Sequence, residues 1–215
     1  MAVFLANVGV NASHTARSPL FADGSFTLIP IPERMRWRQP MLRLRDLPEI
    51  AKEAPESWGR VPVHLDPDFR NPVQTYGDNC RRAARAFALR KAAKGDRIVF
   101  LARLHPRSAP PAFYLVGKLV VEEVLADVVR DPGPGWWDAN AHVRRARATG
   151  DWDSFWVFRG GPGSGLYPRA LAFRREEAER LFEHRWNWRP NRSELQTIGS
   201  YTRTVRVLPL LPGAE

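Results

Sequence analysis

The arrangement of apolar and polar positions along the chain predicts a sheet with a few helices packed beside it. Two nearly continuous apolar runs, residues 97–104 and 113–121, indicate strands that are buried on both faces. Gly117 lies inside the second run and predicts a bend or bulge of the kind that a curled sheet needs. Further strands are predicted by shorter runs at residues 2–10, 25–31, 154–159, 169–173 and 200–208.

Helical spacing of apolar residues is limited to short segments. Residues 80–88 place Cys80 and Ala84 on one apolar face, and Asp78 or Asn79 is in position to cap this helix. Other helices are predicted at residues 47–54, 139–148 and 174–183. Strands and helices in this proportion predict an α+β fold, which we expect to be a partly closed barrel with flanking helices.

The length of the chain suits one substantial core. We expect a single domain over residues 1–215, in which the proline-broken segment 33–71 packs on the core as a long excursion. Cys80 is the only cysteine, which excludes an intramolecular disulfide and a zinc site built on several thiolates. No run of about 18 apolar residues occurs, so we expect a cytoplasmic protein without a membrane partner.

The charge of the chain favours a polyanionic partner. Its formal net charge is +10 and its sequence pI is about 10.7. Only four of the 33 basic residues are lysines, so most positive groups are guanidinium forks that suit phosphate oxygens and base edges. The composition therefore indicates nucleic acid or a nucleotide, with DNA expected in preference to RNA. An arginine-rich proteome would give the same composition without any such ligand.

The first predicted strand runs directly into a polar loop. Asn7, Asn11, Ser13 and His14 bring two amides, a hydroxyl and an imidazole to one place. Paired amides can hold the Watson–Crick edge of a base, and a histidine can stack or donate. The alternative is turn chemistry, because Asn and Ser side chains bond to their own backbone in loops.

A histidine and a carboxylate lie two residues apart at His64 and Asp66, and His142 follows later in the chain. This is the residue content of a two-histidine, one-carboxylate iron site of base-oxidising dioxygenases. The predicted helix at 80–88 interrupts the all-strand fold that such chemistry normally uses, so we expect neither metal nor cofactor. We expect His64 and Asp66 to lie beside the opening loop, where they position or deprotonate a ligand. A proline-bounded turn is the alternative.

Tyr76 and Asp78 flank a glycine just before the predicted helix at 80–88. We interpret Tyr76 as a base-stacking platform and Asp78 as a carboxylate of the same site, although a helix cap alone would also explain Asp78. The basic helix supplies candidate phosphate contacts, namely His142, Arg144, Arg145 and Arg147. The glycine-rich loop 160–165 lacks the lysine of a Walker motif, and we interpret it as a flexible connection that closes over a ligand, with Ser164 and Arg169 as candidate contacts.

Several motifs occur together in one order. They are residues 7–14 (Asn-Val-Gly-Val-Asn-Ala-Ser-His), 18–21 (Ser-Pro-Leu-Phe), 29–33 (Ile-Pro-Ile-Pro-Glu), 64–67 (His-Leu-Asp-Pro) and 75–78 (Thr-Tyr-Gly-Asp). With this set the chain resembles the third class of nucleotide modification-associated domains, bacterial and phage proteins linked by genomic context to modified bases. Residues 95–208 are similar to the PUA, ASCH and EVE barrels. That resemblance implies a pocket for RNA or for a flipped, altered base.

Two functions from different classes follow as expectations. The first is a nucleic-acid or nucleotide-binding protein that recognises a modified base, with a role in phage defence. The second is an enzyme that makes or removes the modification, for example by hydrolysing a glycosidic bond with help from Asp66 or Asp78. An accessory subunit without binding activity of its own is a third possibility.

Overall fold

The computed structural model describes residues 1–33, 41–80, 84–182 and 185–208. The strands of this part are β1 (Val3–Asn7), β2 (Pro19–Leu20), β3 (Ile31–Pro32), β4 (Val63–His64), β5 (Thr75–Asp78), β6 (Arg97–Pro106), β7 (Ala112–Val128), β8 (Phe155–Gly160), β9 (Gly165–Phe173) and β10 (Arg206–Leu208). The α-helices are α1 (Pro48–Ala51), α2 (Ala141–Thr149), α3 (Arg175–Leu181) and α4 (Glu194–Tyr201). Short 3-10 helices cover Leu44–Asp46, Glu56–Trp58 and Ala84–Lys91.

Eight strands form one sheet around the antiparallel pair β6 and β7. The order is β10-β1-β6-β7-β8-β5, with β2 also paired to β6 and β9 also paired to β7. β1 runs parallel to β6, and β3 and β4 form a separate antiparallel pair. The fold is therefore α+β, as predicted. Within the described residues the two end strands, β10 and β5, do not pair, so the sheet is open and a PUA-like barrel is not confirmed.

The predicted irregularity at Gly117 is confirmed. The register of β7 against β9 shifts between Leu115 and Gly117, and the register of β6 against β7 shifts between Phe100 and Leu101. A Cβ at Gly117 would lie 2.6 Å from the carbonyl oxygen of Gly165, so the close approach of β9 requires glycine here. This bend lets the first part of β7 pair with β6 while its second part pairs with β8.

Apolar side chains cover both faces of the central strands, as their continuous apolar runs predict. On one face, Phe4, Phe100 and Phe158 belong to the largest apolar cluster. On the other face, Leu101 and Phe173 pack with residues of α3 and α4. Phenylalanine side chains of this kind contribute most to the core because each buries a large apolar area.

Three predicted elements differ from the structure. The strand predicted at residues 25–31 is absent except for Ile31, which begins the short β3. Prolines at 30 and 32 remove backbone donors that a longer strand would need. The predicted helix at 80–88 appears as the 3-10 helix Ala84–Lys91, while residues 81–83 lie outside the described part. Residues 200 and 201 end α4 rather than begin a strand. Ser193 and Gln196 form a capping box that starts this helix.

The segment between β3 and β5 forms a small apolar cluster of its own. Leu44, Leu47, Val63 and Leu65 are its buried members. Ile50 and Trp58 also pack against Val10 beside the opening loop. This packing fixes β4 and the residues that follow it against the end of β1. No helix in the described part of the chain is long and apolar enough to cross a membrane.

Candidate functional site

Four polar side chains from three separate segments meet at one end of the sheet. His64 ends β4, opposite Ile31 of β3, so Glu33 lies near it two residues beyond Ile31. Asp66 follows β4 and reaches the edge strand β5. His142 lies in the first turn of α2, where the Asn140 side chain caps the helix by accepting from the His142 backbone N–H at 2.9 Å.

Short distances connect these four groups, which we call the His–Asp cluster (Glu33, His64, Asp66 and His142). Nδ1 of His64 lies 2.9 Å from Oε1 of Glu33, and Nε2 of His64 lies 3.2 Å from Nε2 of His142. Oδ2 of Asp66 lies 3.8 Å from Nε2 of His64 and 3.5 Å from Nε2 of His142. Each side chain is at most 13% exposed, so water screens these contacts little.

Asp66 is held by the backbone of β5. The N–H of Gly77 donates to both carboxylate oxygens, at 2.9 and 3.1 Å. Burial raises the pKa of Asp66 well above its usual value, against the Gly77 hydrogen bond, and the charge of Asp78 raises it further. A carboxyl with a raised pKa inside a cavity is typical of acid–base sites and of buried ligands for cations.

The two histidines have different surroundings. Burial lowers the pKa of His142 well below its usual value, and the positive charge of a protonated His64 would add to this effect. At Glu33 burial raises the carboxyl pKa, but the hydrogen bond from His64 and the charges of His64 and Arg145 together outweigh burial and leave that pKa below its ordinary value. Glu33 is therefore ionised, and we assign the Nδ1 proton of His64 to the bond with it. The lone pair of His64 Nε2 then points toward His142 and Asp66.

A small cavity of about 160 Å³ opens directly onto the cluster. All four cluster side chains line it, and so do residues of β1 and β5. Tyr76 donates its hydroxyl to Asp78 at 3.1 Å, and Arg85 lies 3.7 Å from the same carboxyl group. The inner cavity therefore combines carboxylates, imidazoles and a guanidinium within a few ångströms of one another.

A second, larger cavity of about 860 Å³ adjoins the first. Both cavities share five lining residues, which are Asn7, Gly9, Ile31, Asp78 and Arg85. The larger one lies within the size range of ligand pockets, about 300–1,000 Å³, whereas the inner one has room only for part of a ligand. A ligand seated in the outer cavity can thus extend one end toward the His–Asp cluster.

Arginines surround the outer cavity. Its lining includes Arg85, Arg103, Arg189, Arg192 and Arg203, and Asp78 is the one carboxylate among the described residues of this lining. We call these five side chains the arginine rim. Convergent guanidinium groups around a concave surface raise the local positive potential and attract phosphate groups.

The opening loop contributes to the outer cavity, but its side chains also bond to one another. Asn7, Asn11 and Ser13 line the cavity. Oδ1 of Asn11 accepts from the backbone N–H and the hydroxyl of Ser13, at 2.9 and 2.6 Å. Nδ1 of His14 accepts from the Asn11 N–H, and its ring packs edge-on to Trp58. Turn chemistry thus occupies part of this loop, and Asn7 is the amide shared by both cavities.

Tyr76 lies in the apolar core. Its ring stacks with Phe158 at 6.3 Å and packs edge-on against Phe100 at 5.0 Å. The ring is 3% exposed, so its contact with the inner cavity is through the hydroxyl that holds Asp78. In this arrangement Tyr76 orients the carboxyl of Asp78.

The predicted phosphate contacts of the basic helix lie in three different settings. His142 belongs to the His–Asp cluster, and Arg144 is partly buried near Asp66. Arg145 lines the inner cavity and contacts Asp153 at 3.3 Å. Arg147 is paired with two carboxylates, Asp131 at 3.1 Å and Asp138 at 3.0 Å.

The glycine-rich loop between β8 and β9 does not border the site. Ser164 accepts a hydrogen bond from the Val120 N–H at 2.9 Å, which holds this loop against β7. Arg169 lies on β9, and its side chain passes beside Gly24. Neither Ser164 nor Arg169 is among the described residues that line the two cavities.

Sequence reasoning missed Glu33 and the whole arginine rim. Glu33 gave a weak signal as the last residue of the Ile-Pro-Ile-Pro-Glu motif. Arg189 and Arg192 follow the Trp-Asn-Trp segment 186–188, where arginines and aromatic residues alternate. Local sequence could not show that these arginines face the opening loop. Among the described residues, His64, Asp66 and His142 form a group whose ligand atoms can hold a metal ion.

Comparison with known proteins gives one match. The sequence model of a protein family described as nucleotide modification associated domain 3 matches residues 2–204 of the 215. The match spans the motifs that carry the resemblance and, apart from Val205, the residues that line the two cavities. No curated protein and no solved structure matches the chain.

Proposed function

The chain belongs to the nucleotide modification associated domain 3 family, and we propose that it binds a nucleotide or a nucleic-acid strand in the two adjoining cavities, where it recognises a modified base. The observation that carries this proposal is that the arginine rim surrounds the outer cavity, which adjoins the buried polar inner cavity. Asn7 and Asp78 line both cavities. Phosphate groups bind at the rim, and the altered part of the base points inward.

Asn7 and Asp78 are the groups best placed to read the base. The Asn7 amide supplies both a donor and an acceptor, and the Asp78 carboxyl is oriented by Tyr76. Recognition of a substituent, rather than of a whole base, agrees with the volume of the inner cavity, about 160 Å³. This proposal includes four further predictions: a preference for DNA over RNA, a PUA-like role for residues 95–208, a cytoplasmic location and a part in phage defence.

An enzyme acting on the modified nucleotide is the second candidate. The observation in its favour is the buried Asp66, whose pKa lies well above the usual value, next to two imidazoles in a cavity. A protonated carboxyl of this kind can donate a proton to a leaving group, and Asp78 lines the same cavity. Hydrolysis of a glycosidic bond is the reaction that these groups would serve.

One experiment separates the two functions. The protein is incubated with phage DNA that carries hypermodified bases and with matched unmodified DNA; binding is measured by fluorescence anisotropy and nucleosides by mass spectrometry. Recognition predicts tighter binding of modified DNA with no change in nucleosides, and weaker discrimination in Asn7→Ala. Catalysis predicts released base or new nucleosides, lost in Asp66→Asn. Equal affinity for both DNAs together with unchanged nucleosides would refute both functions.

A further inference from the structure

We propose that His64, Asp66 and His142 bind one divalent transition-metal ion at the inner end of the cavity, through the two Nε2 atoms and Oδ2. The inference goes beyond base recognition, because it concerns a site that can be filled with no nucleotide present. It departs from the expectation from sequence that these residues serve without a metal.

The spacing of the three ligand atoms fits a metal ion. They are separated by 3.2, 3.5 and 3.8 Å. The circle through three points at these separations has a radius of about 2.0 Å, so a single point lies about 2.0 Å from all three atoms. Zinc bonds to imidazole nitrogen and carboxylate oxygen measure about 2.0–2.2 Å. An ion at or slightly above this point therefore reaches bonding distance of every ligand without movement of the backbone.

Hydrogen bonds around the site orient two of the ligands. Glu33 accepts from Nδ1 of His64, which leaves the Nε2 lone pair facing the other ligands. The Gly77 N–H holds the Asp66 carboxylate. A carboxylate behind a ligating histidine is the usual outer-shell partner in metal sites, since it fixes the tautomer and makes the imidazole a better donor.

The apo arrangement is poorly satisfied without a cation. Two neutral rings whose Nε2 atoms lie 3.2 Å apart leave at least one nitrogen lone pair unused, and Oδ2 of Asp66 lies 3.8 and 3.5 Å from the same two nitrogens. The carboxylates Glu33 and Asp66 are both buried beside the two rings. A divalent ion would stabilise the ionised form of Asp66 and use both nitrogen lone pairs at once.

The remaining coordination positions face the inner cavity. All three ligands line that cavity, which continues into the arginine-rimmed outer one. Three protein ligands with open positions are typical of catalytic metal sites, whereas structural sites are closed by four protein ligands. Two histidines and one carboxylate suit zinc and also the iron(II) of non-haem sites. Zinc would support hydrolytic chemistry and iron(II) oxidative chemistry.

The test uses the untagged full-length chain, stripped with chelator and free of nucleic acid. Zn²⁺, Fe²⁺ and Co²⁺ are offered separately, Fe²⁺ without oxygen, and bound metal is measured by elemental analysis after gel filtration. We expect one ion per chain and a rise in the thermal unfolding temperature with metal concentration. Bound Co²⁺ is expected to give a visible absorption spectrum with nitrogen ligands. Failure of wild type to retain any of the three ions would overturn the proposal, whatever the outcome of the DNA-binding experiment.

Variants locate the ion. His142→Gln and Asp66→Asn are expected to lose stoichiometric binding, and Glu33→Gln, which keeps all three ligands, to weaken it about 10–100-fold. His105→Gln is the matched control, because His105 lies at the end of β6 and not in the cluster, and it is expected to bind as wild type does. A wild-type affinity in His142→Gln, or an equal loss in His105→Gln, would place the ion elsewhere. Circular dichroism of each apo variant separates loss of a ligand from loss of the fold.

Discussion

Replacement of one rim arginine gives the sharpest test of how the outer cavity binds its ligand. Arg203 is an exposed member of the rim, so Arg203→Gln removes one positive charge without cutting into the core. Each phosphate contact to single-stranded nucleic acid contributes about −0.7 to the slope of log K against log salt. Five contacts, one for each rim arginine, give a slope of about −3.5, and four give about −2.8.

These slopes translate into measurable affinities. Between 50 and 200 mM salt, wild type is expected to lose about a hundredfold in affinity and Arg203→Gln only about fifty-fold. The assay is fluorescence anisotropy of a labelled single-stranded oligonucleotide at a series of KCl concentrations, with chelator present so that metal binding does not contribute.

Arg147→Gln is the matched control for this experiment. It removes the same charge, but Arg147 lies outside both cavity linings and already has Asp131 and Asp138 as partners. Its salt slope should equal that of wild type. An unchanged slope in Arg203→Gln would mean that Arg203 contacts no phosphate and would contradict the rim. An equal decrease in both variants would mean that total charge rather than the rim governs binding.

Three further predictions concern the surroundings of the site. Gly77→Ala places a Cβ 2.8 Å from Cδ2 of His142, so it should destabilise the fold by about 1–3 kcal/mol in thermal or urea unfolding; wild-type stability would contradict this packing. Burial raises the pKa of the Cys80 thiol, so native protein should resist iodoacetamide until denaturant is added, as followed by mass spectrometry; rapid native labelling would contradict it. Burial and nearby Arg103 lower the pKa of His105 to about 4, which an NMR titration can check. Because the unfolded chain takes up this proton first, near pH 6.5, stability should fall as the pH drops from about 6.5 toward 4, and less so in His105→Gln.

Much of the sheet is determined by local sequence. The apolar runs that become β6, β7 and β8, and the bulge beside Gly117, follow from burial and from the missing Cβ of glycine. α2 follows from the Asn140 cap and from Gly150, whose left-handed conformation ends the helix. The family follows from motif order along the whole chain. These features depend on residues that are near one another in sequence, so they can be predicted from the sequence alone.

The site depends on contacts that no local pattern encodes. His64 and His142 are 78 positions apart, yet their Nε2 atoms lie 3.2 Å apart because β4 and the start of α2 pack against the same edge strand. The sequence supplied the right residue types for a metal or acid–base site. Only the tertiary structure placed Glu33 next to Nδ1 of His64 and brought the carboxyl group of Asp66 near both imidazoles. The same holds for the rim, whose arginines come from four separate segments. Chain composition fixes how many charges exist, but packing of distant elements decides which of them share a cavity, and that sharing sets their pKa values and their chemistry.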